Sequence, residues 1–201
     1  VVEGMFDIQK RHAFSIGIEW NDAKAQRTAK EAYDRLFNLK WTPPGRGLWM
    51  MGTKFIYERT GAGLFNCAFR STKDIHQKGG YIYAWMMDAL MLGIGVGFDT
   101  LGSKSFTVKE PQWTNDVLKI DDSREGWVNS VHILLDGYFQ GKKVPQFDYT
   151  DIRVAGAPIR GFGGTSSGPK PLVELHNDLR ALLESRIGDP IESVDIVDIE
   201  N

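Results

Sequence analysis

Glycine decides where this chain can be regular. Three glycine-bearing loops, at 43–47, 93–97 and 161–168, interrupt segments that read alternately as strand and helix. The alternation recurs about every 20–40 residues, with no internal repeat, and predicts an α/β architecture with one core and helices outside.

The helices announce themselves by period and by stop signals. Residues 22–40 read as an amphipathic helix, with Asp22 as N-cap and Ala29, Ala32, Tyr33, Leu36 and Phe37 at helical spacing. Residues 81–92 form a strongly apolar helix ending at Gly93, and 124–139 a helix capped by Ser123. Pro169 opens a helix to Arg186 with Gly188 as its C-cap, and a last helix starts near Ser193. The run 64–69 (LFNCAF) reads as a buried strand, 93–99 as a tight turn entering a strand, 101–120 as loop and irregular strand, and 147–159 as a further strand.

Composition excludes several classes. At 42% hydrophobic, 25% charged and a formal net charge of −2, the chain lacks the basic excess of a protein that binds nucleic-acid polymers. Free nucleotides stay compatible, since they need only a local pocket. No apolar run reaches the roughly 18 residues that cross a bilayer, so no membrane partner is expected. Val1-Val2-Glu3-Gly4 lacks the zones of a signal peptide. The lone Cys67 excludes an internal disulfide and a cysteine-built zinc site. A cytoplasmic setting is the expectation. The missing initial Met and the absence of a stop signal after Asn201 suggest a piece of a longer polypeptide or a split-gene product.

Of the three loops, 161–168 best suits an anionic ligand, because Thr165, Ser166 and Ser167 lie between glycines just before a helix. It is not a Walker A loop, and a flexible connection explains the glycines equally well. The 93–97 glycines suit close helix–strand packing, and in 43–47 only Arg46 suits an anion. Cys67 reads either as a small buried hydrophobe or as a redox thiol with a partner elsewhere. His12, His76, His132 and His176 share no metal-ligand spacing, so no metal is expected. Asp121-Asp122 and Asp195/Asp198/Glu200 read as solvated acidic clusters.

Five segments in order resemble the ribonucleotide reductases that use adenosylcobalamin, especially the single-chain ribonucleoside triphosphate reductases. They are Pro-Pro-Gly-Arg-Gly-Leu-Trp (43–49), Arg-Thr-Gly-Ala-Gly-Leu-Phe-Asn-Cys (59–67), Gly-Ile-Gly-Val-Gly-Phe (93–98), Asp-Ser-Arg-Glu-Gly-Trp (122–127) and the stretch 151–172. The resemblance implies the first half of a ten-stranded α/β barrel over 42–201, preceded by a helical segment over 1–41. It gives Cys67 the role of one thiol of the reducing pair, whose partner cysteine lies outside this chain. Thr42 and Asn66 would lie near the substrate phosphates and ribose. The loop Gly161, Phe162, Gly163, Gly164, Thr165, Ser166, Ser167 and Gly168 would link an effector nucleotide to the substrate base.

The same resemblance implies a second chain or covalent continuation carrying the radical cysteine and most adenosylcobalamin contacts. A ribonucleotide substrate, a deoxynucleotide effector and a thioredoxin-like reductant are the other implied partners. The stretch from Phe98 to Arg124 is short against the single-chain enzymes, which puts the effector site in doubt. A catalytically inactive nucleotide-binding module and a piece of a metal-oxygen-dependent reductase subunit are the alternative readings.

Overall fold

A computed structural model describes residues 1–159 and 163–200, arranged as two compact units, 1–66 and 67–201. The division falls at Asn66/Cys67, where the sequence reading placed the change at 41/42.

The first unit is helical. It contains α1 (Val2–Ser15), α2 (Asp22–Phe37), the short helices α3 (Gly45–Met50) and α4 (Lys54–Glu58), and a 3-10 turn at Gly61–Leu64. Helix α2 is capped by Asn21, whose side chain accepts from the Lys24 amide at 2.9 Å, and not by Asp22. Asp22 is engaged elsewhere: its carboxylate takes Lys10 Nζ of α1 at 2.9 Å and the Trp20 indole N–H at 3.1 Å. Ala25, Ala29, Ala32 and Leu36 are the half-buried stripe of α2, while Tyr33 and Phe37 are exposed and stack on each other at 5.8 Å.

The second unit holds two strand–helix–strand turns. Strands β1 (Cys67–Arg70) and β2 (Gly95–Phe98) pair in parallel, joined through α5 (Ile75–Lys78) and α6 (Tyr81–Met91). Strands β3 (Gln112–Lys119) and β4 (Lys143–Asp148) also pair in parallel, joined through α7 (Arg124–Gln140). Parallel pairing demands such a crossover, and the apolar helices supply it. Helices α8 (Lys170–Glu184) and α9 (Ser193–Glu200) complete the unit. Its core interleaves Ile82 and Met86 of α6 with Leu134, Leu135 and Tyr138 of α7, Val144 of β4, and Leu179 and Leu183 of α8.

Ser123 caps α7 as expected, its Oγ accepting from the Gly126 amide at 3.0 Å. Four expectations change. The five-stranded half-barrel is absent among the described residues, which hold two separate strand pairs. The strand expected at 147–159 is β4, displaced to Lys143–Asp148. It stops where Asp148 Oδ1 accepts from the Thr150 amide and turns the chain. The irregular strand expected within 101–120 is a regular eight-residue strand, β3. Finally, α8 is capped by Ser185. Gly188, at φ +88°, lies beyond it and donates its N–H to Val108 O at 2.9 Å.

Asp195, expected in a solvated acidic cluster, is interior, and so is His176. Asp195 is 4% exposed and accepts from Arg186 Nε at 3.1 Å and the Glu192 amide at 2.8 Å. His176, on α8, is fully buried beside Phe147 and Tyr149. Ser130 Oγ donates to Trp127 O at 2.8 Å, which leaves it to accept from His176 Nε2 at 3.1 Å. Nδ1 is then the acceptor for the Tyr149 hydroxyl at 2.7 Å. Every hydrogen-bonding atom of the neutral ring is satisfied. Burial, assisted by nearby Arg180, pushes the imidazole down to about 4.

The folded value lies below the ordinary 6.5, so His176 stabilises fully above pH 6.5 and less as pH falls through 4. Burial raises the Glu200 carboxyl to about 7, which gives a slope of opposite sign in the same range. The wild type must therefore be compared with His176→Gln. Its stability advantage is expected to shrink by about 3 kcal/mol between about pH 7 and pH 4 in denaturant titrations. A pH-independent difference would contradict this state for His176.

Candidate functional site

Successive strand residues point to opposite faces. In β1, Cys67 and Phe69 take the exposed face, and Ala68 and Arg70 the half-buried one. Arg70 there lies over the Tyr81 and Trp85 rings of α6, at 5.6 and 5.4 Å. Strand β2 repeats the pattern, with Gly95 and Gly97 exposed and Val96 and Phe98 half-buried. The register sets Cys67 opposite Gly95 and Phe69 opposite Gly97.

Two expectations are corrected by this arrangement. The 64–69 run is not buried: Cys67 is exposed, and Phe65 and Phe69 are 63% and 64% exposed. The β2 glycines lie on the face away from α6, so their smallness clears the surface beside the thiol and does not serve helix packing. A thiol at a strand start, flanked by bare backbone, is accessible to a second thiol or a ribose.

Thr42 and Asn66 are both exposed residues of the first unit, Thr42 just before the two prolines that lead into α3 and Asn66 as the unit's last residue. Cys67 opens the second unit. Arg46 is engaged within its own unit, donating to Gly63 O at 3.1 Å, so it ties the 43–49 segment to the 59–67 segment.

The described part of the third loop is a two-stranded stem. Pro158 and Thr165 form an antiparallel bridge. Gly156 N donates to Ser166 O and Ser166 N to Ala157 O, both at 2.8 Å, and Ile159 N donates to Gly164 O at 3.0 Å. Gly163 and Gly164 have φ of +93° and +85°, a conformation that favours glycine, and open space where a Cβ would stand. Gly161 and Phe162 lie outside the described residues. The hydroxyls expected to face a ligand divide. Ser166 Oγ is turned inward, accepting from Gly168 N at 3.0 Å and donating to Arg153 O at 3.5 Å, whereas Thr165 and Ser167 are exposed.

Sequence reasoning missed the pair that anchors this stem. Arg153 donates through Nε to Asp122 Oδ2 at 2.7 Å, and its other nitrogens reach Asp122 O at 3.4 Å and Pro158 O at 3.1 Å. Asp122, expected to be solvated, is two-thirds covered and immediately precedes the Ser123 cap of α7. Arg124, two residues on, pairs with Asp88 of α6. Both residues of the anchor stand inside segments singled out in the sequence, Asp-Ser-Arg-Glu-Gly-Trp and Asp-Ile-Arg, but nothing in the spacing says that they meet. Among the described residues no group of His, Cys, Asp and Glu could hold a metal ion, and no helix is long and apolar enough to cross a membrane.

Comparison with known proteins agrees over the whole chain. Residues 100–183 match the family model described as B12-dependent ribonucleotide reductase, insertion domain, and residues 1–53 the model described as ribonucleotide reductase alpha domain. The chain is 46% identical to the probable adenosylcobalamin-dependent ribonucleoside-triphosphate reductase of Dictyostelium discoideum, covering 100% of this chain and 29% of the relative. It is 42% identical to the adenosylcobalamin-dependent ribonucleoside-triphosphate reductase of Euglena gracilis, covering 100% and 28%. A crystal structure of a B12-dependent (class II) ribonucleotide reductase superposes with a TM-score of 0.79 at 26% identity, covering 100% of this chain and 35% of that one.

The chain thus spans 28–29% of the length of these curated relatives. The β3–α7–β4 turn falls within the insertion-domain match. The region expected to be cut down is the one that carries this match. Length differences remain against a bacterial relative: the alignment to the Lactobacillus delbrueckii enzyme runs over 256 positions against 201 residues here.

Proposed function

We infer, on the premise that this chain belongs to the B12-dependent ribonucleotide reductases, that it is the amino-terminal portion of an enzyme converting ribonucleotides to deoxyribonucleotides. The observation that carries the reading is Cys67, accessible at the start of β1 beside the bare glycines of β2. The net reaction is ribonucleotide plus two thiols giving deoxyribonucleotide, water and a disulfide. Cys67 supplies one thiol; the other comes from the polypeptide beyond this chain, as does the radical cysteine. The first half of the barrel is then assigned to β1 and β2, with the remaining strands elsewhere in the full enzyme.

The relatives are named for triphosphates, so ribonucleoside triphosphates are the substrates proposed here. Thr42 and Asn66 contact the phosphates and ribose, and the loop 161–168 reads a deoxynucleotide effector and the substrate base. A thioredoxin-like dithiol re-reduces the disulfide, in keeping with a cytoplasmic, reducing setting. Adenosylcobalamin supplies the radical chemistry when bound. Its contacts are assigned mostly to the rest of the enzyme.

The test is an assay of the full-length polypeptide. Deoxynucleotide formation from the four ribonucleoside triphosphates is expected to require both adenosylcobalamin and a dithiol. Product that needs neither, or no product with both, would overturn the reading.

A further inference from the structure

We propose that Arg153 is a positioning residue that couples the start of α7 to the loop stem formed by residues 156–159 and 163–168, outside which it stands, and thereby sets the enzyme's choice of base. The inference rests on the reading of that loop given above and deepens it. One guanidinium touches both ends of the connection: it holds the Asp122 carboxylate and carbonyl on the α7 side and the Pro158 carbonyl on the loop side. Its own carbonyl accepts from Ser166 Oγ, so both strands of the stem are fixed through the same residue. On the other side, Ser123 caps α7 and Arg124 pairs with Asp88, so Asp122 belongs to a helix start that is itself pinned to α6.

A planar, multidentate donor is required for this, because three acceptors in different directions share one side chain. Lysine keeps the charge and loses the fork. A displacement at the α7 start therefore reaches the stem as a change of hydrogen-bonded geometry, while the residues proposed to touch the ribose lie elsewhere in the sequence.

The experiment uses the full-length reductase as wild type, Arg153→Ala, Arg153→Lys and Asp122→Asn. Relative kcat/KM is measured for the four ribonucleoside triphosphates, with and without each deoxynucleoside triphosphate. In Arg153→Ala and Asp122→Asn the effector-driven change in base preference is expected to fall by about 5- to 10-fold, within the usual range of allosteric couplings. Turnover without effector is expected to stay within about twofold, and Arg153→Lys to restore part of the response. Unchanged discrimination, or an equal loss with and without effector in both variants, overturns the proposal. A wild type that reduces no nucleotide would instead overturn the reading on which it rests.

Discussion

Cys67→Ser in the full-length enzyme is expected to abolish multi-turnover reduction, with a loss of at least about a thousandfold, as for other residues at the centre of a reaction. A serine hydroxyl cannot be oxidised to a disulfide, so the two electrons that convert the ribose C2′–OH into C2′–H and water have no donor. The fold should barely register the change. Cys67 is exposed and stands opposite Gly95 on the uncovered face of the β1–β2 pair, so its replacement is expected to shift stability by less than about 0.5 kcal/mol. Deoxynucleotide yield per enzyme under excess dithiol, beside a denaturant titration, checks both halves. Unimpaired turnover in a folded variant removes Cys67 from the chemistry.

The second large effect is structural. Gly80 is buried at the N-cap of α6, and its N–H donates to the Asp136 carboxylate of α7 at 2.8 Å. A Cβ there would stand 2.7 Å from Leu135 Cβ and 2.8 Å from the His132 carbonyl, and backbone yields little. Gly80→Ala must therefore push α6 and α7 apart and stretch the cap. The expected loss is about 3 kcal/mol, larger than alanine's gain in helix propensity of about 1 kcal/mol. Gly61→Ala is the control, since nothing lies within 4 Å of its Cβ position, and should change stability little. Equal midpoints and slopes for the two variants in urea would contradict the close approach of α6 and α7.

The helices were legible because their evidence is local. The apolar runs of α6 and α7, the Ser123 cap and the start of α9 need only neighbouring residues, and the structure places them where period and capping put them. The strands were harder. LFNCAF is apolar enough for burial, yet β1 has a covered face and a bare one within this chain, and composition does not say which face a given residue takes. Contacts between distant residues were beyond reach. Asp122 and Arg153 stand 31 positions apart, and His176 finds Ser130 at a separation of 46. The glycines at 95 and 97 show the same limit of pattern: their number suggested close packing, while only the register with β1 reveals that they clear the thiol's surroundings.

The central claim is that Cys67 gives its electrons to the substrate, and a single turnover reads that directly. The full-length enzyme is reduced, freed of external thiol, given adenosylcobalamin and one ribonucleoside triphosphate, quenched, alkylated and mapped by peptide mass spectrometry. The account predicts deoxynucleotide formed in step with a disulfide between Cys67 and a cysteine of the continuing polypeptide. Deoxynucleotide formed while Cys67 remains fully alkylated would contradict it.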